Sequence, residues 1–263
     1  MQNMSSGPET KGTAANIVCD RYSNKGWLRT SAYVPTEMEL IVNVNRQPLV
    51  KILCTADKLN YLVVGYLYAE GIISNIEDIA SMWISKEESL AEVNLSRDDY
   101  ELPTLRTLGC SGSLVFQTQA LKVDSDFVVT PAEVLSLMKH LQKNMDLYQL
   151  SGGVHTSALS DNKNLLVVAE DIGRHNTLNK VQGECLLREI PTTDRLLLIT
   201  GRISSEMLLK AAKMQVPIVA SRRAPTKDAV TLARDLGIAL VGQVRDEKLS
   251  VFTHPERLGH FTG

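Results

Sequence analysis

Short apolar runs alternate with amphipathic segments throughout the second half of the chain. Four such runs have the length and residue types of buried β-strands, and they lie at 165–169, 196–200, 216–220 and 238–242. Between them, apolar positions three and four residues apart predict helices at 176–187, 204–215 and 226–237. Strands that are apolar on both faces and alternate with helices are typical of a parallel sheet covered on both sides. The pattern predicts an α/β domain, with an antiparallel edge strand at 249–253.

The first half has a different, mixed pattern. Segments 36–45 and 47–55 predict two strands joined by a polar turn, and 89–96 predicts another strand. A helix is expected between them, with Asp57 as its N-cap and Gly71 in a left-handed conformation just past its end. This half therefore predicts a smaller α+β region.

The change of pattern comes just before a well-marked helix start. Thr130 has the hydroxyl of an N-cap, a proline follows it, and Glu133 completes a capping box. We accordingly divide the chain into a disordered lead at 1–15, the α+β region at 16–125 and the α/β domain at 126–263.

Composition and charge exclude several classes of protein. Lys and Arg number 28 against 30 Asp and Glu, so the net charge of −2 argues against a nucleic-acid partner. No apolar run approaches the roughly 20 residues that a membrane-spanning helix needs, and the polar N-terminus lacks a signal peptide's apolar stretch. We expect a cytoplasmic globular protein with no membrane partner.

The cysteines do not form a metal-binding pattern. They are Cys19, Cys54, Cys110 and Cys185, and no two have the C-x-x-C spacing of zinc ribbons or iron–sulfur proteins. Cys110 differs from the others because it lies among small residues in the segment 107–113. It is either a mobile nucleophile or a small residue tolerated in a turn.

Cationic residues follow the four predicted strands of the α/β domain. They are Arg174, His175, Arg202, Arg222, Arg223 and Arg245. Ligands in open α/β sheets bind beyond the carboxyl ends of the strands, where helix N-termini also favour anions. The loops therefore predict a phosphate site, although each arginine alone could be a solvated surface charge. Ser204, Ser205 and Thr226 are helix caps or ligand contacts.

Two further positions carry open alternatives. The loop 151–156 contains two glycines and His155, which predicts either close approach to a ligand, with the histidine moving a proton, or a tight turn with a structural histidine. Asp171 could orient His175, bind the edge of a base, or cap the following helix.

Several strings together resemble the FdhD/NarQ family of formate dehydrogenase accessory sulfurtransferases. The resemblance runs from about Pro35 to Arg257 and rests on LCTADKLNYLVVGYLYAEGII, SGGVHTSAL, EDIGRHNTLNKVQGE, TGRISSEMLLKAA, ASRRAPTKDAV and GQVRDEKLSVFTHPERL. It implies a three-layer sandwich similar to cytidine deaminases, and a homodimer. It also implies a sulfur carrier that takes persulfide sulfur from a cysteine desulfurase. The resemblance further implies that this sulfur passes to the molybdenum or tungsten bis-molybdopterin guanine dinucleotide cofactor and so activates formate dehydrogenase.

The resemblance also implies site residues. The persulfide cysteine corresponds to Cys110, and GDP is expected to mimic the cofactor. Together with the loop residues, the candidate binding set is His155, Asp171, Arg174, His175, Gly201, Arg202, Ser204, Ser205, Ser221, Arg223, Gln243, Val244, Arg245, Asp246, Glu247 and Lys248.

Two departures from related patterns matter. Many family members have a C-x-x-C pair where this chain has only Cys110, with Thr107 and Ser113 at the neighbouring positions. A single carrier thiol is compatible with a persulfide relay, and the missing partner leaves a non-catalytic cofactor-binding chaperone as the alternative. Zinc deaminases need H-x-E and P-C-x-x-C. Here Ser157 follows His155 by two residues and the loop at 200–202 has no cysteine, so no metal site is predicted.

Overall fold

The computed structural model describes residues 12–97 and 121–261, which form three sheets and their covering helices. In the first range the elements are β1 (Ala14–Ser23), β2 (Gly26–Pro35), β3 (Met38–Val44), β4 (Gln47–Cys54), α1 (Leu59–Ala69), β5 (Ile79–Ser85) and β6 (Leu90–Leu95). In the second they are α2 (Pro131–Lys143), α3 (Asp146–Ser151), β7 (His155–Ser160), β8 (Leu165–Asp171), α4 (Arg174–Leu187), β9 (Leu196–Ile199), α5 (Ser205–Lys213), β10 (Ile218–Ser221), α6 (Lys227–Leu236), β11 (Ala239–Arg245) and β12 (Lys248–Val251).

The larger sheet has the strand order β12-β11-β10-β9-β7-β8. Strands β9, β10 and β11 are parallel neighbours, and β8 runs in the same direction because β7 is antiparallel to both β8 and β9. The predicted α/β fold with four co-directional strands is confirmed, as is the antiparallel edge strand β12.

Strand β7 was not predicted, although it lies inside the sheet. Its sequence, HTSALS, is buried but mostly polar. The hydroxyls of Ser157 and Thr177 pair at 2.6 Å, so the polar groups are satisfied without apolar side chains. The signal that reveals a buried strand, a run of apolar residues, is therefore missing.

Helices cover both faces of this sheet, which gives the expected three layers. Alternate residues of β9 point to opposite sides: Leu197 and Ile199 pack in one core with residues of α4, α5 and α6, whereas Leu196 and Leu198 pack in another with α2. The predicted capping box at the start of α2 is confirmed, since Thr130 Oγ1 accepts from the Glu133 N–H at 3.2 Å.

The smaller sheet has the order β4-β3-β6-β5 and packs against α1. The predicted turn between β3 and β4 is confirmed, with Asn45 and Arg46 at φ 49° and 65°. The predicted N-cap Asp57 is wrong: Lys58, with φ 52°, occupies the cap position and supplies no side-chain hydrogen bond. Gly71 has the expected positive φ of 77°.

The hairpin β1–β2 was missed, and so was β5. The hairpin forms a separate two-stranded sheet whose side chains are largely exposed, so the alternation that marks a half-buried strand is weak. Strand β1 begins at Ala14, inside the segment predicted as a disordered lead. Val123 N–H donates to the Leu236 carbonyl at 2.8 Å, so this residue packs with the α/β part although it precedes the predicted boundary.

Helices α1 and α4 cross at two glycines. A Cβ at Gly65 would lie 1.7 Å from the Asn179 carbonyl oxygen, and a Cβ at Gly183 would lie 1.9 Å from the Tyr61 carbonyl oxygen. Only glycine permits this backbone-to-backbone approach. The α1–α4 contact thus joins the smaller sheet to the larger one.

Buried polar side chains reinforce that junction. Lys180 Nζ lies 2.6 Å from Asp171 Oδ2, and both side chains are fully buried. The Thr55 hydroxyl accepts from Lys180 at 2.9 Å and donates to Asp171 at 3.0 Å. This cluster ties the end of β4 to the end of β8 and to α4. In the two described ranges, no helix has the length and hydropathy needed to span a membrane.

We expect Gly183→Ala to destabilise the protein by roughly 3 kcal/mol or more, because the new methyl group meets backbone atoms that cannot move independently. In an unconstrained helix the same change stabilises by about 0.5–1 kcal/mol, so the sign alone is informative. Urea unfolding followed by circular dichroism measures the effect. Thr231→Ala, on the exposed face of α6, is the matched control and should change stability by less than about 0.5 kcal/mol. A Gly183→Ala protein as stable as the wild type would contradict the close crossing.

Candidate functional site

A cavity of about 800 Å³ opens at the edge of the larger sheet where β8, β9, β10 and β11 end and β7 begins. Its size is in the range of ligand-binding sites. The described residues that line it are Met145, Tyr148, Gly152, Gly153, Val154, His155, Arg174, Thr200, Gly201, Arg202, Arg222, Arg223 and Arg245. The four predicted strand-end loops therefore do converge on one space.

Five arginines give the cavity its chemistry. Among the described residues, none of the five has a carboxylate within 4.0 Å, although the whole chain carries a net charge of −2. The Nε atoms of Arg174 and Arg222 are buried and have no hydrogen-bond partner in the part of the chain that the structure describes. Buried donors without partners are costly, and guanidinium groups bind phosphate and carboxylate in a bidentate way. The site therefore has the donors and the charge to bind a polyanion.

Short polar contacts hold the loops in place. The fully buried Ser221 donates its hydroxyl hydrogen to the Gly201 carbonyl at 2.6 Å and accepts from the Arg223 N–H at 3.0 Å. A Cβ at Gly201 would lie 3.3 Å from His155 Nδ1, a tight approach, and 3.5 Å from Arg174 Cβ, an ordinary contact, so a side chain there would press on the His155 ring. Ser221 and Gly201 fix the relative position of the arginine-bearing loops.

Two histidines lie next to the arginines and are held neutral. Burial, followed by the nearby Arg174 charge, lowers the pKa of His155, which lines the cavity. Burial also lowers the pKa of His175 to about 4, and Lys210, Arg174 and His155 contribute in the same direction. His175 is not among the lining residues, and its Nε2 lies 3.5 Å from Glu206 Oε2. At neutral pH each ring therefore has one hydrogen-bond donor and one acceptor and adds no positive charge to the site.

The model of the FdhD/NarQ family matches residues 35–259 of this chain. The chain belongs to the FdhD/NarQ family. It is 38% identical over 248 residues to the sulfur carrier protein FdhD of Staphylococcus haemolyticus, covering 90% of this chain and 94% of that protein. The protein of the same name from a Staphylococcus aureus strain is 37% identical with the same coverage.

A solved structure shows the same fold. It is the crystal structure of a protein from Desulfotalea psychrophila described as a formate dehydrogenase accessory protein, with a TM-score of 0.79 and 24% sequence identity. The alignment covers 94% of this chain and 99% of that one. At this level of identity, the likeness supports the architecture alone.

Asp171 is a predicted ligand contact, but both of its carboxylate oxygens are bonded to groups of the protein itself. Its Oδ2 pairs with Lys180 and accepts from Thr55, while its Oδ1 accepts from Gly173 N–H and the Asn176 side chain, each at 2.8 Å. It is fully buried and is not among the lining residues, so it supports the β8–α4 turn from behind the cavity.

The remaining candidates split between cavity and framework. Ser204 is the N-cap of α5, as Thr226 is of α6, and Ser205 begins α5. In the Gln243–Lys248 segment Arg245 lines the cavity, whereas Val244 is buried in the core and Asp246 and Glu247 form the β11–β12 turn. Gln243 Oε1 accepts from Ser250 Oγ at 2.9 Å, and Lys248 is exposed on β12.

Four lining positions lie outside both the candidate set and the glycine-rich loop. Arg222 stands in a predicted strand-end loop, but no sequence pattern marks Met145, Tyr148 or Thr200 as residues of the site. The segment from the end of α2 to β7 reaches the arginines only because β7 enters the sheet antiparallel between β8 and β9. Recognising β7 would have placed Met145 and Tyr148 at this edge.

Cys110, the predicted sulfur carrier, lies outside the described residues. Among the described cysteines, Cys54 and Cys185 are buried, and burial raises the pKa of each thiol to about 12. Such thiols are poor nucleophiles at neutral pH. The described residues contain no group of three or more His, Cys, Asp or Glu arranged to hold a metal ion.

The low pKa of His175 makes stability depend on pH. As the pH falls below about 6.5, the unfolded chain takes up a proton that the folded protein, with a pKa of about 4, does not. Stability present at pH 7 is therefore lost on acidification. We expect the wild type to lose about 2 kcal/mol more than His175→Gln between pH 7 and pH 5. Urea titrations at both pH values measure it, and parallel losses in the two proteins would contradict a neutral His175.

Proposed function

We propose that this protein is a sulfur carrier that binds the guanine dinucleotide end of a molybdenum or tungsten bis-molybdopterin cofactor and delivers persulfide sulfur to it for formate dehydrogenase. The observation that carries the proposal is the cavity with five arginines and no facing carboxylate among the described residues. Membership of a family whose relatives are named sulfur carrier protein FdhD supports the sulfur chemistry.

The donor set fits a pyrophosphate. Arginine forks bind phosphate oxygens in pairs, and the buried Nε atoms of Arg174 and Arg222 have no hydrogen-bond partner among the described residues and so can donate to a bound group. The arginines stand at the ends of four neighbouring strands, so a ligand with two adjacent phosphates can reach several at once. His155, which stays neutral, adds one hydrogen-bonding group beside Arg174.

Loading of the carrier needs no external oxidant. The Cys110 thiolate attacks the outer sulfur of the donor's persulfide, a new S–S bond forms, and the donor cysteine leaves as a thiolate. Cys110 then holds the outer sulfur as its own persulfide for transfer to the bound cofactor. The arginine cavity's part is to hold the cofactor's phosphates while transfer occurs.

The proposal includes the partners and the setting. A cysteine desulfurase supplies the sulfur, and a formate dehydrogenase receives the sulfurated cofactor. We further propose a homodimer that works in the cytoplasm and has no resident metal. The crystal structure that shares this fold comes from a protein described as a formate dehydrogenase accessory protein, which agrees with this role.

Arg202→Ala should weaken GDP binding by roughly 10- to 100-fold, the expected loss for one charge-assisted contact to phosphate. Isothermal titration calorimetry of the full chain at fixed salt concentration measures this. Arg234→Ala, an exposed arginine at the end of α6 that does not line the cavity, is the matched control and should bind GDP as the wild type does. Unchanged GDP affinity in Arg202→Ala would refute the position of the phosphate site.

Incubation with a cysteine desulfurase and cysteine should add about 32 Da to Cys110 per sulfur, detected by mass spectrometry without reductant. Cys110→Ala should lose formate dehydrogenase activation while it keeps its GDP affinity, since the thiol carries sulfur and the arginines bind phosphate. Cys19→Ala is the control and should retain both properties. If Cys110→Ala still activates the dehydrogenase, the protein acts as a cofactor-binding chaperone instead.

A further inference from the structure

The cavity has two chemically different sides. The arginines all lie at or just beyond the carboxyl ends of β8, β9, β10 and β11. The lining residues of α3, of its N-cap and of the segment that leads into β7 carry no formal charge. Tyr148 of α3 is the one Tyr, Phe or Trp among the described lining residues, and Met145, three residues earlier, is the N-cap residue of α3. A ligand that fills the whole cavity therefore meets cations on one side and an aromatic ring on the other.

Helix α3 does not owe its position to a hydrophobic core. None of its six residues, Asp146–Ser151, is buried, and Tyr148 is 38% exposed. Glu170, at the end of β8, accepts hydrogen bonds from the first turn of this helix: Oε2 from Leu147 N–H at 2.8 Å and Oε1 from Tyr148 N–H at 2.9 Å. The Thr156 hydroxyl donates to the same carboxylate at 3.3 Å.

These contacts form a clasp between two neighbouring strands and the helix. Glu170 and Thr156 are paired residues of β8 and β7, and the strand that carries Glu170 leads directly to Arg174. The backbones of Tyr148 and Arg174 are therefore positioned by the same stretch of sheet. A Cβ at Gly152 would meet no described atom within 4 Å, so the corner between α3 and β7 is open to a ligand.

We infer that Tyr148 stacks on the base of the nucleotide whose phosphates the arginines hold, and that Glu170 is the positioning residue that fixes this aromatic wall. The inference rests on the proposed function and names the half of the ligand that the arginines do not recognise. Stacking of a base on an aromatic ring contributes about 1–3 kcal/mol. Inorganic pyrophosphate has the anionic half of the ligand alone and so separates the two sides.

The test compares GDP with inorganic pyrophosphate in calorimetric titrations of the full chain. Tyr148→Ala should weaken GDP binding by about 10-fold and leave pyrophosphate binding unchanged, and Tyr148→Phe should restore most of the GDP affinity because it keeps the ring. Tyr22→Ala, on the exposed β1–β2 hairpin, is the matched control and should change neither affinity.

Glu170→Gln tests the clasp. A single amide oxygen replaces two carboxylate oxygens, and the amide N–H group faces a backbone N–H, so α3 loses one of its two main-chain bonds. GDP affinity should fall several-fold while pyrophosphate affinity holds, a selective loss that general destabilisation would not produce. Thermal melting confirms that each variant is folded, and the Tyr148 variants decide the stacking even if Glu170→Gln does not fold.

Several outcomes would overturn the inference. Equal losses for GDP and pyrophosphate in Tyr148→Ala, or no loss in either, would refute the aromatic wall. Wild-type protein that binds pyrophosphate as tightly as GDP would refute the wall and leave the phosphate site intact. Wild-type protein that binds neither would refute the proposed function together with the wall.

Discussion

The contact between helices α1 and α4 sets the position of the smaller sheet relative to the larger one. At Gly65 and Gly183 the two backbones approach so closely that no Cβ can be accommodated. The buried Lys180–Asp171 pair and the Thr55 hydroxyl lie beside this contact and link the ends of β4 and β8 to α4. Breaking such a pair by removing one partner leaves an uncompensated buried charge, which costs several kcal/mol. These buried contacts hold the β8–α4 turn, and with it the backbone of Arg174, in place.

The distribution of charge differs sharply between the framework and the cavity. Behind the cavity, Lys180 pairs with Asp171 and Lys58 pairs with Glu184. At the cavity no Asp or Glu is among the described lining residues, and burial lowers the pKa of the neighbouring His155 and His175, so both are neutral at pH 7. A site built this way keeps its positive potential for a ligand, because it is not neutralised internally, and it limits self-repulsion by leaving the imidazoles uncharged.

Strand β7 is the element that turns an arginine-lined sheet edge into a two-sided pocket. It runs against its neighbours, so the residues before it, from Met145 to Val154, arrive at the same edge as the carboxyl ends of β8 and β9. Thr200 fixes this arrangement, since its hydroxyl oxygen accepts from the Thr156 N–H at 2.9 Å. The uncharged wall with Tyr148 is thus a consequence of topology, and Glu170 holds it through main-chain hydrogen bonds.

Sequence patterns alone predict the α/β class, the order of strands and helices from 165 onward and the convergence of the arginines at one edge of the sheet. They suffice because apolar periodicity is a local property and parallel strands bring their carboxyl ends to the same edge. It did not reveal β7, whose buried hydroxyls are satisfied by partners such as the Ser157–Thr177 pair and so carry no apolar pattern. The hairpin β1–β2 was missed for a different reason: most of its side chains are exposed, so its sequence does not alternate between apolar and polar residues. The place of Asp171 in the framework and of Tyr148 at the cavity is visible only in the folded protein, because each depends on a partner distant in the chain: Thr55 for Asp171 and Glu170 for Tyr148.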